Sequence, residues 1–148
     1  MDFSIYKLSE YSNAFKLLYD YNKSIQCSLS DNELNIWIEK ILNIGDPLAI
    51  VKDDKIIAFC LLYCNQLSTL EAYICNVYVN ELFRGNKLSK LLIEEAIEIC
   101  KSREFKAINL DVVENNLPAI KIYQDCGFIE TNKYTKETDK YIRMTYFL

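Results

Sequence analysis

Between residues 88 and 100, apolar side chains recur at 88, 91, 92, 96, 99 and 100, and Glu94, Glu95 and Glu98 fall between them. That is the 3.6-residue period of a helix with one face turned to a core. The same period predicts a helix over 31–43, with Leu34, Trp37, Ile38, Ile41 and Leu42 on one stripe and Ser30 or Asp31 as the N-cap, and another over 10–22. A further helix over 116–126 is stopped by Gly127 in the C′ position. Short apolar and β-branched runs predict strands over 2–7, 48–52, 55–64, 71–79, 106–112, 128–134 and 141–147. Gly45, Asp46 and Pro47 form the turn before the second strand, and Asp53-Asp54 joins the second and third strands in a hairpin without the favoured glycine. The run 71–79 is apolar almost throughout, the mark of a strand buried on both faces.

The order is one strand, two helices, three strands, a helix, a strand, a helix and two closing strands. Strand, helix and strand at 71–112 make one parallel crossover inside an otherwise hairpin-built sheet, so the fold class is α/β with a mixed, mostly antiparallel sheet. Strands that stop pairing at such a step leave an opening at their carboxyl ends, where α/β sheets bind ligands. Chemistry is therefore expected around 76–89 and 110–123.

Composition narrows the classes. A chain of 148 residues, 51% hydrophobic and 26% charged, suits one globular domain spanning 1–148. No apolar run approaches the ~20 residues that cross a bilayer, so no membrane role is expected. The start, Met1-Asp2-Phe3-Ser4, lacks the basic stretch and apolar run of a secretory signal, and the expected compartment is cytoplasmic. A net charge of −4 argues against nucleic acid and favours a neutral or cationic partner. With no histidine and no Cys-x-x-Cys pair, no metal is expected, and any proton transfer falls to Tyr, Glu, Asp, Cys or water. The cysteines at 27, 60, 64, 75, 100 and 126 lie among apolar residues and read as buried free thiols.

Two segments carry chemistry. Residues 77–92 pass from a strand through a short basic loop directly into a helix, a junction whose free amides and dipole suit an anion. Arg84 and Lys87 add charge, Gly85 permits close approach and Ser89 offers a hydroxyl; on local grounds the same residues also describe an ordinary solvated loop. Neither phosphate-loop nor dinucleotide glycine patterns are present. The second segment, 110–128, follows after one helix and one strand.

Together the two segments resemble the GCN5-related N-acetyltransferases, whose cofactor loop reads Arg/Gln-x-x-Gly-x-Gly/Ala and whose later helix reads Asn-x-x-Ala-x-x-x-Tyr and ends in Gly-Phe. Asn116, Ala119, Tyr123, Gly127 and Phe128 fit the second pattern, and Arg84 opens the first. Lys87 and Ser89 stand where the family has small residues; a lysine costs little there if its φ is negative, and its ammonium then approaches a phosphate. The resemblance implies helices on both faces of the sheet and acetyl-CoA as acyl donor. It implies that Val77 and Val79 offer main-chain groups to the pantetheine arm, that Arg84, Gly85, Asn86, Lys87, Leu88 and Ser89 wrap the pyrophosphate, and that Asn116 bonds the pantetheine or caps its helix. Tyr123 is then the general acid for the leaving thiolate, in a direct attack that needs no covalent enzyme intermediate.

No single carboxylate stands out as base; Glu71, Glu81, Asp20 and Glu33 are candidates beside water. Tyr11, Tyr19, Tyr21, Trp37, Tyr134 and Tyr141 form an aromatic set that can stack on or cage an acceptor, or simply pack. The expected acceptor is a primary amine of a small molecule. The alternatives are a protein N-terminal amine, because residues 75–79 resemble the strand of ribosomal-protein alanine acetyltransferases, and a non-catalytic acyl-CoA-binding domain. A homodimer through an exposed C-terminal strand is also open.

Overall fold

The computed structural model describes residues 3–148. A seven-stranded sheet runs through it in the order β1-β2-β3-β4-β5-β7-β6. The strands are β1 (Ile5–Lys7), β2 (Asp46–Lys52), β3 (Lys55–Tyr63), β4 (Glu71–Val79), β5 (Ala107–Val113), β6 (Ile129–Lys136) and β7 (Asp139–Phe147). The helices are α1 (Ala14–Ser24), α2 (Asp31–Ile44), α3 (Leu88–Ser102) and α4 (Leu117–Asp125), with 3-10 turns at Leu8–Glu10 and Glu81–Phe83. Among the described residues only β4 and β5 pair in parallel, across α3. The mixed sheet with one parallel step is thus present in the predicted order.

Local chemistry explains the elements. Ser30 caps α2 in a capping box: its hydroxyl accepts from the Glu33 amide, and the Glu33 carboxylate accepts from the Ser30 amide. The β2–β3 turn works without glycine because Asp53 and Asp54 both take left-handed backbone, with φ of 52° and 59°, as the two-residue primed hairpin turn requires. β2 starts two residues earlier than expected and includes Pro47, which lies beyond the reach of β1 where β2 has a neighbour on one side only. The first helix begins at Ala14 instead of residue 10, because a 3-10 turn takes Leu8–Glu10. The first strand is Ile5–Lys7; of its expected span, residue 2 lies outside the described residues.

Two cores sandwich the sheet. α1 and α2 pack Leu17, Leu18, Leu34, Ile38 and Ile41 onto one face, and α3 packs Leu88, Leu92, Ile93 and Ala96 onto the other. Full burial of each such Leu or Ile contributes about 1.5–3 kcal/mol. Leu91, expected on the buried stripe of α3, is exposed, and Ile93 and Ile97 take its place. Arg103 pins the far end of α3 through a bidentate pair with Asp46 at 2.7 and 2.8 Å.

Three expectations change. β4 is not buried on both faces: Cys75 and Asn76 are exposed and residues 77–79 are half-buried, because β4 leaves β5 after three paired residues. Of the six cysteines only Cys60, Cys64 and Cys100 are buried, and Cys75 is exposed at a bulge in β4; all six are free thiols. The C-terminal strand is internal, between β5 and β6, so at that end of the sheet the exposed edge is β6. Among the described residues no helix is long and apolar enough to cross a membrane.

Candidate active site

The site begins with that divergence. β4 and β5 pair only from Glu71 to Tyr73 and from Ala107 to Asn109, and beyond these the strands part. β4 stays on β3 through a bulge at Cys75, which raises the local twist and turns its carboxyl half away from β5. The Asn80 amide donates to the Ile57 carbonyl at 2.8 Å. In the alternating antiparallel ladder Tyr78 and Asn76 then also face β3, so the main-chain groups of Val77 and Val79 face the opening.

A cavity of about 230 Å3 occupies the gap, lined by residues 74–77 of β4, 110–113 of β5, Asn116, Ala119 and Tyr123 at α4, and Tyr141 of β7. A wider hollow of about 530 Å3 beside residues 5–7 and 10–12 lies at the other edge of the sheet, away from these groups. Asn116 caps α4, its side-chain oxygen accepting from the Ala119 amide at 3.3 Å, so the cap and the cavity wall are the same side chain. The far end of α4 is a Schellman motif. The Phe128 amide donates to the Tyr123 carbonyl at 3.0 Å and the Gly127 amide to the Gln124 carbonyl at 2.9 Å, with Gly127 at φ 104°. Phe128 then packs on Tyr123 with ring centroids 6.2 Å apart, which holds the phenol at the cavity. Burial pushes the Tyr123 hydroxyl up to about 12, so it is a proton donor throughout the neutral range.

Beyond Val79 the 3-10 turn leads into residues 84–89. These flank the cavity without lining it. Gly85 has φ 87° and open space where a side chain would be. Asn86 donates to the Phe83 carbonyl at 2.9 Å and closes the loop, Leu88 is buried and fixes the helix start, and Ser89 and Lys90 follow in the first turn of α3. Lys87 is the N-cap, yet it has no side-chain acceptor to offer, and among the described residues no side chain caps α3. The amides of the first turn therefore keep their hydrogen-bonding capacity for an anion. Contrary to the cheap case, Lys87 sits at φ 59°, ψ 32°, the left-handed conformation that costs a side-chain-bearing residue about 1–2 kcal/mol.

The sequence matches the acetyltransferase (GNAT) family over residues 12–128, well over half of the chain. The chain belongs to that family. The GNAT fold extends to solved structures: the acetyltransferase of GNAT family from Streptococcus pneumoniae superposes with a TM-score of 0.77 over 99% of this chain and 100% of that one, at 20% identity. Among relatives, the ribosomal protein bS18 alanine N-acetyltransferase of Salmonella typhimurium is 30% identical over 99 residues, 64% of this chain and 65% of that protein. The streptothricin acetyltransferase of Escherichia coli is 34% identical over 64 residues, 43% of this chain and 34% of that protein. The chain thus spans less than two thirds of these relatives. Within the GNAT frame the positive φ of Lys87 falls where the family motif has glycine, which is the backbone reason for that glycine.

The base candidates fare unevenly. Glu33 is consumed by the α2 capping box and Asp20 pairs with Lys16, while Glu71 lies at the amino end of β4, away from the opening, and Glu81 sits in the exposed 3-10 turn. The aromatic set divides as well. Tyr21 is buried against Phe59 and Tyr78, and Tyr134 stacks on Tyr141 at 5.4 Å. Sequence reasoning missed the polar group beside the cavity, Tyr73, Asp111 and Arg143. Asp111 accepts from the Tyr73 hydroxyl at 2.7 Å and from Arg143 Nε and Nη2, both at 2.9 Å. Burial works to raise the Asp111 carboxyl, but the hydrogen bonds from Arg143 and Tyr73 outweigh it and hold it below its ordinary value. The only signal for this group was the strand alternation that puts polar residues between core positions at 72–74, 110–112 and 142–144.

Proposed function

We propose that residues 1–148 act as one catalytic domain that transfers an acetyl group from acetyl-CoA to a primary amine of a small molecule. The observation that carries this reading is the parting of β4 from β5, with the Tyr123 phenol and Asn116 in the resulting cavity and the uncapped start of α3 beside it. The donor set fits an extended, anionic thioester. The first-turn amides of α3, with Arg84, Lys87 and Ser89, take the pyrophosphate; Gly85 and Asn86 shape the loop, and Leu88 anchors it. Val77 and Val79 receive the pantetheine arm as an added strand, and the remaining amide hydrogens of Asn116 reach its carbonyl.

The acceptor nitrogen attacks the thioester carbonyl carbon; the C–N bond forms and the C–S bond breaks. Tyr123 gives its proton, or a full hydrogen bond, to the departing sulfur, and the amine proton leaves to water. Membership of the family supports this chemistry. A second reading, transfer to a protein N-terminal amine, is supported by the Salmonella relative and by the strand at 75–79. The test is release of free CoA thiol from acetyl-CoA with a panel of small amines and short peptides. Amine-dependent release supports transfer; no release with any acceptor contradicts it.

A further inference from the structure

The group formed by Tyr73, Asp111 and Arg143 has more order than a cross-strand ion pair needs. Each member lies between residues of the α3-side core: Ala72 and Ile74 flank Tyr73, Leu110 and Val112 flank Asp111, and Ile142 and Met144 flank Arg143. By strand alternation all three point to the opposite face, across the sheet from α3. Asp111 and Tyr141, two residues from Arg143 on β7, both line the cavity that also holds Tyr123. The group therefore sits on the side of the opening from which an acceptor approaches a thioester lying against α4.

Arg143 is held in one orientation. Nε and Nη2 are both fixed on Asp111, and the guanidinium lies over the Tyr73 ring at 5.8 Å. Five N–H donors minus the two so used leave three, and Nη1 has no partner among the described residues. The Arg143 side chain is 40% exposed, whereas that of Asp111 is 13% exposed, so the carboxylate is the covered half and the guanidinium the presented half. Among the described residues Asp111 is the one charged residue in the cavity wall, and Arg143 neutralises it. Nothing in the wall rewards a second positive charge on the acceptor.

We propose that Arg143, positioned by Asp111 and Tyr73, is a specificity-determining residue that binds a carboxylate or carbonyl oxygen beside the acceptor amine. The substrate class is an α-amino acid or the amino end of a peptide, in preference to alkylamines and polyamines. Arg143 does not itself line the cavity of about 230 Å3 but is bonded to Asp111, which walls it together with Tyr123, so the proposed oxygen lies close to the amine, as on a neighbouring carbon. This proposal rests on the acetyl transfer proposed above.

Alanine, alaninamide and isopropylamine test it, since all three carry the amine on the same carbon skeleton and differ in the third group. Each is assayed with the intact protein and with Arg143→Ala and Arg143→Lys, and acetyl-CoA affinity is measured in parallel. The expected result is that kcat/KM for alanine or alaninamide relative to isopropylamine falls about 10- to 100-fold in Arg143→Ala, the range for a lost charge-assisted hydrogen bond. Arg143→Lys recovers part of the ratio for alanine. Comparing ratios between variants cancels the different basicities of the amines. A larger loss with alanine identifies a free amino acid, and a larger loss with alaninamide a peptide end. Unchanged ratios, with only a lower melting temperature, overturn the proposal and leave a structural ion pair. Acetyl-CoA binding with no transfer to any of the three also overturns it. Absence of acetyl-CoA binding overturns the transferase reading itself.

Discussion

The two sides of the opening are built by different rules. On the side proposed for the donor, β4, α3, β5 and α4 place chiefly main-chain groups, amides at the start of α3 and the outward groups of Val77 and Val79, beside one side chain, a phenol fixed by a Schellman turn. On the side proposed for the acceptor, the wall and its surroundings are made of the side chains of Tyr73, Asp111, Tyr134, Tyr141 and Arg143, drawn from four strands. Backbone geometry demands glycine, an N-cap and a small residue at set spacings, and so leaves a motif. Side chains collected from distant strands leave none.

The largest effect expected on the donor side is on Tyr123. Tyr123→Phe lowers kcat by about 100-fold or more, the scale of a lost general acid, with acetyl-CoA affinity nearly unchanged in calorimetry. Wild-type kcat/KM rises with pH as the acceptor amine loses its proton, and Tyr123, pushed up to about 12, causes no alkaline fall below that value. An unchanged kcat in the variant removes the acid from the account.

Next is the turn that holds it. A Cβ at Gly127 would lie 2.9 Å from the Tyr146 ring at φ 104°. Gly127→Ala costs about 2–4 kcal/mol in denaturant unfolding, adding left-handed strain to overpacking. Arg84→Ala weakens acetyl-CoA by about 1–3 kcal/mol if the guanidinium meets a phosphate, and equal affinities would reassign the anion site to the amides alone.

The smallest effect sharpens the contrast most. Lys87→Gly relieves left-handed strain and raises stability by up to about 1 kcal/mol, offset in part by the flexibility of glycine in the unfolded chain. If the ammonium also holds a phosphate, the same change lowers acetyl-CoA affinity. A gain in both stability and affinity would make the loop a purely main-chain device.

Legibility followed the same division. The element order and the parallel step were readable because helical period, capping chemistry and glycine placement are local, and the roles proposed for 84–89, 116 and 123 rest on the same local signals. The exposure of Cys75 and Asn76 was not readable, because 71–79 has an apolar composition and only the loss of β5 as a neighbour opens it to solvent. The exposed edge was misplaced for the same reason. Chain order puts β7 last, while pairing with β5 puts it inside. The left-handed backbone of Lys87 contradicts its residue type, and only the loop geometry shows it.

Titration of the intact protein with acetyl-CoA by calorimetry tests the central claim, that the parted strands and the uncapped helix form a donor site. Saturable binding in the micromolar range that free adenine does not reproduce is the predicted result. No detectable binding would mean that the family fold is kept here without its donor site.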